Sequence, residues 1–346
     1  MDEVSPSPHE RPRCARIIFD VTTLARWAGL PNGIARVQLG LGRAVARLRP
    51  DTVFAIFDRR GRRYRALSRR GLELACDART IVEFAVRSRR SAFGDWLARR
   101  ATIARLGAEP AGGPAEEPVR LPCEWVVAGD LEPGAGDVVV DVGAGWEHAD
   151  IDLIAALKRE RGFRYAVLCH DIIPLMYPEW CGELPVSNFR RYFEGASAAA
   201  DLVLFHSRRV AADAGAYLMG RGLREPPSCL VPVSCEALFR FAAPPVSLPA
   251  ELEPNRFALA VGVIEPRKGH RLLLDIWRQL TAADVPRRHG FKLVFAGKPG
   301  WLVDELIADI ERQQEADQNL VWLRNVGDAL LDRLYRDCAL CLMPSR

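Results

Sequence analysis

Lysine is scarce in this sequence of 346 residues, with four in all. Arginine is the general cationic residue, so a single arginine carries little information and a lysine draws attention. Two of the four, Lys268 and Lys298, follow strand-like apolar runs. The nine cysteines are odd in number and scattered, which excludes a disulfide framework. The one CxxC, Cys338 to Cys341 in "CALCLMP", lies in an apolar run and reads as buried strand rather than as a metal or redox site. No apolar run approaches the length of a membrane span, and the first residues, "MDEVSPSPHERPRC", have neither the basic nor the apolar part of a secretory signal. A reducing cytoplasm is the expected compartment, and residues 1–12 read as a disordered tail.

Apolar residues make up 49% and charged residues 27%, ordinary for a globular protein, and the length suggests two domains. The net charge of +4 is too small to argue for nucleic acid. Its distribution is uneven: residues Arg59 to Leu106 hold fourteen arginines against four acids, with Phe84, Phe93 and Trp96 interleaved. Such a block is a solvated face, a surface for anionic lipid, or a polyanion site.

Apolar runs of four to seven residues alternate with helical repeats, the pattern of parallel strands covered by helices on both faces. Strand-like runs stand at "ARIIFDV", "DTVFAIFD", "GDVVVDVG", "FRYAVLC", "ADLVLF" and "SCLVPV", with an Arg-rich helical region and the surface loop "LGAEPAGGPAEEPVRLP" after the second. Ser207 is placed to cap its helix. The Pro-rich stretch 241–256 reads as a linker, followed by strands at "FALAVG", "FKLVFAG", "NLVWL" and "CALCLMP". The reading is α/β: an N-terminal Rossmann-like domain over 13–240 with a basic insertion near 59–120, and a second Rossmann-like domain over 257–346, the two facing a cleft. The second domain is incomplete, because a doubly wound sheet should not stop at the strand before "LMPSR".

In such sheets ligands bind outside the carboxyl ends of the strands, where helix N-termini point. Arg267 and Lys268 stand there after "FALAVG". An arginine fork and a lysine point charge suit the two phosphates of a diphosphate, and cations at a helix N-terminus are unfavourable without an anion. Gly33, in "PNGIARV", lets backbone amides approach a phosphate, or makes a plain turn. His170 and Asp171, in "CHDIIP", are candidates for a catalytic pair, the ring bonding a sugar hydroxyl and the carboxylate orienting it; a structural histidine is the alternative. "VVVDVGAGWEH" resembles the first motif of S-adenosylmethionine-dependent methyltransferases, but Trp146 and Glu147 stand where that motif wants a small residue.

The motifs "DVTTL" then "NGIARV", "GAGW", "CHDIIPLMYPEW", "ADLVLFHS", "VGVIEPRKGH", "LVFAGKPGWLVDEL" and "NVGDALLDRLYRDCALCLMPS" together resemble the GT-B glycosyltransferases of family 4, in particular those of bacterial O-antigen and capsule assembly. The resemblance covers nearly the whole chain. It implies a nucleotide-diphospho-sugar donor held by the C-terminal domain, a glycan or lipid-linked acceptor held by the N-terminal one, and transfer with retention. It implies that Arg267, Lys268 and Gly33 bind the donor diphosphate, that Asn325 and Val326 meet the nucleotide base, that Gly297 and Lys298 add donor contacts, and that His170 reaches the transferred sugar. No metal is implied, since Arg and Lys stabilise the leaving diphosphate. Where the family continues into a loop with two Glu residues, this sequence has Arg346, so the chain is expected to be truncated.

A retaining hexosyltransferase, mannose being the foremost sugar, acting at the inner face of the plasma membrane, is the function these readings favour. A non-catalytic relic or partner subunit of the same fold is the alternative, and the methyltransferase a weaker one.

Overall fold

The computed structural model describes residues 16–27, 33–77, 79–83, 118–232 and 246–345, with Ala98, Arg100, Ala101, Thr102 and Leu106 besides. The expected tail, about half of the basic insertion and part of the Pro-rich linker lie outside the described residues. Two compact units form: Met1–Leu175 with Ser187–Val233, and Met176–Val186 with Ser234–Arg346. The segment Met176–Val186, expected in the first domain, thus clusters with the second, where Trp301 Nε1 donates to the Trp180 carbonyl at 2.7 Å.

The first unit is built on β1 (Ile17–Asp20), β2 (Val53–Asp58), β3 (Arg63–Leu67), β4 (Thr80–Glu83), β5 (Val119–Pro122), β6 (Val127–Leu131), β7 (Val138–Asp141), β8 (Arg164–Cys169), β9 (Leu202–Phe205) and β10 (Ser228–Leu230). Eight of them make one sheet in the order β10-β9-β8-β7-β1-β2-β3-β6, and β4 and β5 pair separately. Successive residues of one strand point to opposite faces, and each face has its own core. Ile18 and Val167 pack on one side, Phe19 and Leu168 on the other.

Three expectations are corrected here. The sheet is not wholly parallel, because β3 runs antiparallel to both of its neighbours, β2 and β6. The start of the Arg-rich region is a strand and not a helix: Asp58 accepts from the Arg60 and Gly61 amides, which turns the chain back on itself, and Tyr64 is fully buried between the exposed Arg63 and the half-buried Arg65. That alternation outweighs the composition. Four of the arginines there pair with neighbouring acids: Arg63–Asp130, Arg65–Glu124, Arg70–Glu73 and Arg79–Asp77. β5 likewise lies within the stretch expected to be loop.

The second unit has β11 (Phe257–Val261), β12 (Lys292–Ala296), β13 (Leu320–Leu323) and β14 (Leu340–Leu342), parallel, in the order β13-β12-β11-β14. Ala258 and Phe295 face one core, Phe257 and Val294 the other. β14 was expected to be buried. Its Leu340 and Cys341 are exposed, because it is an edge strand among the described residues.

The amino ends of β1 and β7 are clamped by charge. Arg16 forks onto Asp137 through Nε at 3.1 Å and the guanidinium at 2.6 Å, and the Gly134 amide donates to the same carboxylate. Burial alone would raise the Asp137 pKa; the Arg16 and Gly134 hydrogen bonds and the Arg16 charge more than offset it and hold it below the usual range. A depressed carboxylate contributes stability at pH values above its unfolded pKa and loses it as pH falls through the folded one. Asp137→Asn should therefore cost about 1–2 kcal/mol at neutral pH, part of the pair being exposed, and nothing in strong acid, as read by urea unfolding across pH.

Candidate functional site

The carboxyl ends of β1, β7, β8 and β9 carry the polar groups of the first unit. Asp20 and Asp141 end adjacent strands in register, both about 95% buried. Asp141 accepts from the Gly143 amide at 3.0 Å, Tyr192 Oη at 3.2 Å and Tyr165 Oη at 3.3 Å; Asp20 accepts from the Thr22 amide at 2.7 Å. Burial, reinforced by the charge of Asp141, pushes Asp20 up to about 7. Burial also raises Asp141, against the pull of its three donors. Asp141, with three donors, is the ionised member, and Asp20 holds a proton up to about pH 7.

This pair shapes two loops. Gly143, bound to Asp141, lies so close to the first loop that a Cβ on it would stand 2.3 Å from Thr23 Oγ1 and 2.8 Å from Gln38 Nε2. Thr23 Oγ1 accepts from the Ala144 amide at 2.8 Å, and the fully buried Gln38 bonds both the Asp20 carbonyl and the Leu24 amide. The glycine turn that resembles a methyltransferase motif therefore makes room for the protein's own side chains, which counts against a cofactor there.

His170 follows β8. Its Nε2 lies 3.0 Å from the Val142 carbonyl and its Nδ1 3.1 Å from His206 Nε2. Burial foremost, with the His206 ring adding to it, pushes the His170 pKa down to about 4, so the ring is neutral at physiological pH. The cavity beside it, lined by Trp146, Phe189 and Tyr192, measures about 20 Å³, room for one water. Asp171 Oδ1 accepts from the Ile173 amide at 3.0 Å, which ties it to the start of the helix Ile173–Met176 rather than to His170. Gly33 begins the helix Gly33–Leu48, with nothing within 4 Å of where its Cβ would stand.

In the second unit the loops after β11 and β12 are zipped together. The Ile264 amide donates to the Lys298 carbonyl and the Gly300 amide to the Ile264 carbonyl, each at 2.9 Å, and a Cβ on Gly297 would stand 1.9 Å from the Gly262 carbonyl oxygen. Gly297 and Lys298 are thereby brought to the same end of the sheet as Arg267 and Lys268. Those two occupy the 3-10 turn Pro266–Lys268, and the helix starts at His270, later than expected, after Gly269 at φ 73. Arg267 Nε lies 2.9 Å from the buried Glu265, a partner the sequence did not reveal. Asn325 and Val326 lie in the loop between β13 and the helix Asp328–Asp337, Asn325 exposed and Val326 partly packed on the core. A cavity of about 590 Å³ lined by Ala258, Leu293, Leu340 and Trp277 opens by the amino ends of these strands, at the end of the sheet opposite Arg267 and Lys268.

Sequence reasoning thus found the strand-end positions and missed Asp20, Asp141, His206 and Glu265. Two strand-terminal aspartates, in "FDV" and "VDV", were visible, but their adjacency is not. Asp20→Asn should test the pair. A carboxyl whose folded pKa is raised contributes fully below its unfolded pKa, near 4, and its contribution is lost as pH rises through the folded value. Wild-type stability should fall between about pH 4 and 7, and the variant, which mimics the protonated acid, should lose much of that slope in denaturant titrations. Gly297→Ala should cost about 1–3 kcal/mol by forcing the two loops apart, read as a lowered unfolding midpoint.

No protein-family model matches the chain. Curated relatives do: one form of the serotype-specific mannosyltransferase WbdA of Escherichia coli is 30% identical over 189 residues, which is 51% of this chain, and another is 28% identical over 187. The chain spans 22% of the length of these relatives. Among solved structures, a trehalose-6-phosphate synthase studied with bisubstrate glycomimetics aligns with a TM-score of 0.50 and 14% identity over 95% of this chain and 77% of that one. The UDP-forming α,α-trehalose-phosphate synthase of Burkholderia vietnamiensis aligns at 0.49 and 13%, over 96% and 78%. The chain thus has the GT-B fold, and over about half its length it is similar in sequence to these mannosyltransferases.

Proposed function

We propose that the chain takes part in retaining transfer of a hexose, mannose foremost, from a nucleotide diphosphate to a growing cell-surface glycan. The observation that carries this is the zipped loop pair that sets Arg267, Lys268 and Lys298 at one end of the second-unit sheet, just ahead of a 13-residue helix. Kinship with mannosyltransferases supports the sugar. In this reading the acceptor hydroxyl bonds to the anomeric carbon on the face the diphosphate leaves, the bond from that carbon to the diphosphate oxygen breaks, and the hydroxyl proton passes to the departing phosphate. Arg267 and Lys268 stabilise the charge that develops there, which removes the need for a metal ion. Glu265 orients the Arg267 guanidinium and lowers the cost of holding two cations at a helix start. Asn325 and Val326 would meet the base through their backbone, and Gly33 the phosphates.

A lipid-linked acceptor would place the chain at the inner face of the plasma membrane. Among the described residues, no helix is long and apolar enough to cross a membrane. The ion pairs of Arg63, Arg65, Arg70 and Arg79 leave those arginines little charge to offer a lipid surface, so the acceptor carries that assignment.

Calorimetric titration with GDP, UDP and ADP tests the proposal. One nucleotide should bind, and Lys268→Ala should weaken it by about 1.5–3 kcal/mol, the worth of a charge-assisted contact. The double variant Arg267→Ala, Lys268→Ala should weaken it further and also lower thermal stability, because Glu265 is then buried without its guanidinium. Absence of binding to all three nucleotides would overturn the donor site and favour the non-catalytic reading.

A further inference from the structure

We propose that His206 is the positioning residue for His170, holding that ring neutral with its proton on Nε2, so that it offers the transferred sugar a hydrogen-bond donor and not a base. The inference rests on the reading of His170 as the sugar contact. It follows from what each neighbour of the ring can do. The Val142 carbonyl has no hydrogen to give, so Nε2 of His170, 3.0 Å away, must donate to it. A neutral ring has one N–H, which leaves Nδ1 as acceptor, and the group facing it at 3.1 Å is His206 Nε2, which must then carry a hydrogen. A charged His170 would set N–H against N–H across that contact; on its far side His206 Nδ1 faces the Val231 carbonyl at 3.5 Å.

The frame around the pair leaves the rings little freedom. His170 and His206 follow the adjacent parallel strands β8 and β9, with ring centroids 5.1 Å apart. Trp146 stands edge-on to His170 at 6.4 Å and packs on Phe189 and Tyr192. The Val142 carbonyl is itself oriented, since the residues on either side of it are joined by the hydrogen bond from the Gly143 amide to Asp141. With Val142 on one side of His170 and His206 on the other, a sugar oxygen reaches the ring by sharing or replacing the Val142 bond, and it meets the N–H there. His206 fixes this by occupying the other nitrogen. The sequence offered only "FHS" at the end of a strand, and the partner lies 36 residues away.

The test uses the full chain labelled with ¹⁵N histidine, the His170 signals assigned by loss in His170→Asn, at a pH about one unit above 7. The wild type should show His170 protonated at Nε2 and accepting at Nδ1. In His206→Ala the two nitrogens should move toward the average of the two tautomers, and in His206→Gln, whose amide N–H can take the place of Nε2–H, they should return. Turnover is followed with the mannose conjugate of whichever of GDP, UDP or ADP binds. His206→Ala should lower kcat about tenfold, the equivalent of one ordinary hydrogen bond, with KM for the donor within about twofold, and His206→Gln should recover part of it. A proton found on Nδ1 of His170, or ¹⁵N signals unmoved in His206→Ala, would overturn the pairing, whatever the turnover. The expected nitrogen signals in a chain that binds no nucleotide and turns over nothing would uphold the pairing and sink the sugar-transfer reading alone.

Discussion

Two carboxylates that end neighbouring strands away from water resist being ionised together, and the carboxyl end of the first-unit sheet is organised around that constraint. Asp141 is given three donors and keeps its charge, while Asp20 keeps a proton. The consequence travels along the backbone. The Gly143 amide that serves Asp141 sets the turn, the turn orients the Val142 carbonyl, and the carbonyl takes the hydrogen of His170. The neutrality of His170 is owed first to burial, while the strand-end network sets which of its nitrogens carries the hydrogen.

The second unit reaches a preorganised strand end by other means. No buried acid pair is used; backbone hydrogen bonds between two loops do the work, and glycine at position 297 permits the approach. The cations that follow are held in an unfavourable place, a short turn at the positive end of a helix, and the buried Glu265 offsets part of that cost for Arg267. A site left in that state gains most when an anion arrives, which is why the arrangement suits a phosphate ligand better than a neutral one.

The strand-helix alternation, the cap at Ser207 and the position of Arg267 and Lys268 were legible because each depends on residues close in sequence. The Arg-rich stretch misled: charge suggested a helix, while burial of Tyr64 between Arg63 and Arg65 made a strand. β14 misled in the opposite sense, since apolar composition does not tell an edge strand from a central one. Asp171 looked like a partner for His170 by adjacency, yet a short Asx-type bond to the Ile173 amide takes it away, and His206, distant in sequence, takes its place.

By itself the sequence determined the class of fold, the strands of the second unit and those of the first apart from β3 to β6, and the cations ahead of the helix at His270, because periodicity and local chemistry act over a few residues. Only the tertiary structure decided the partners: Asp20 beside Asp141, His206 against His170, Lys298 beside Ile264. Parallel strands join residues separated by whole helices, and which strand lies beside which is set by the packing of both faces of the sheet rather than by any local stretch of sequence.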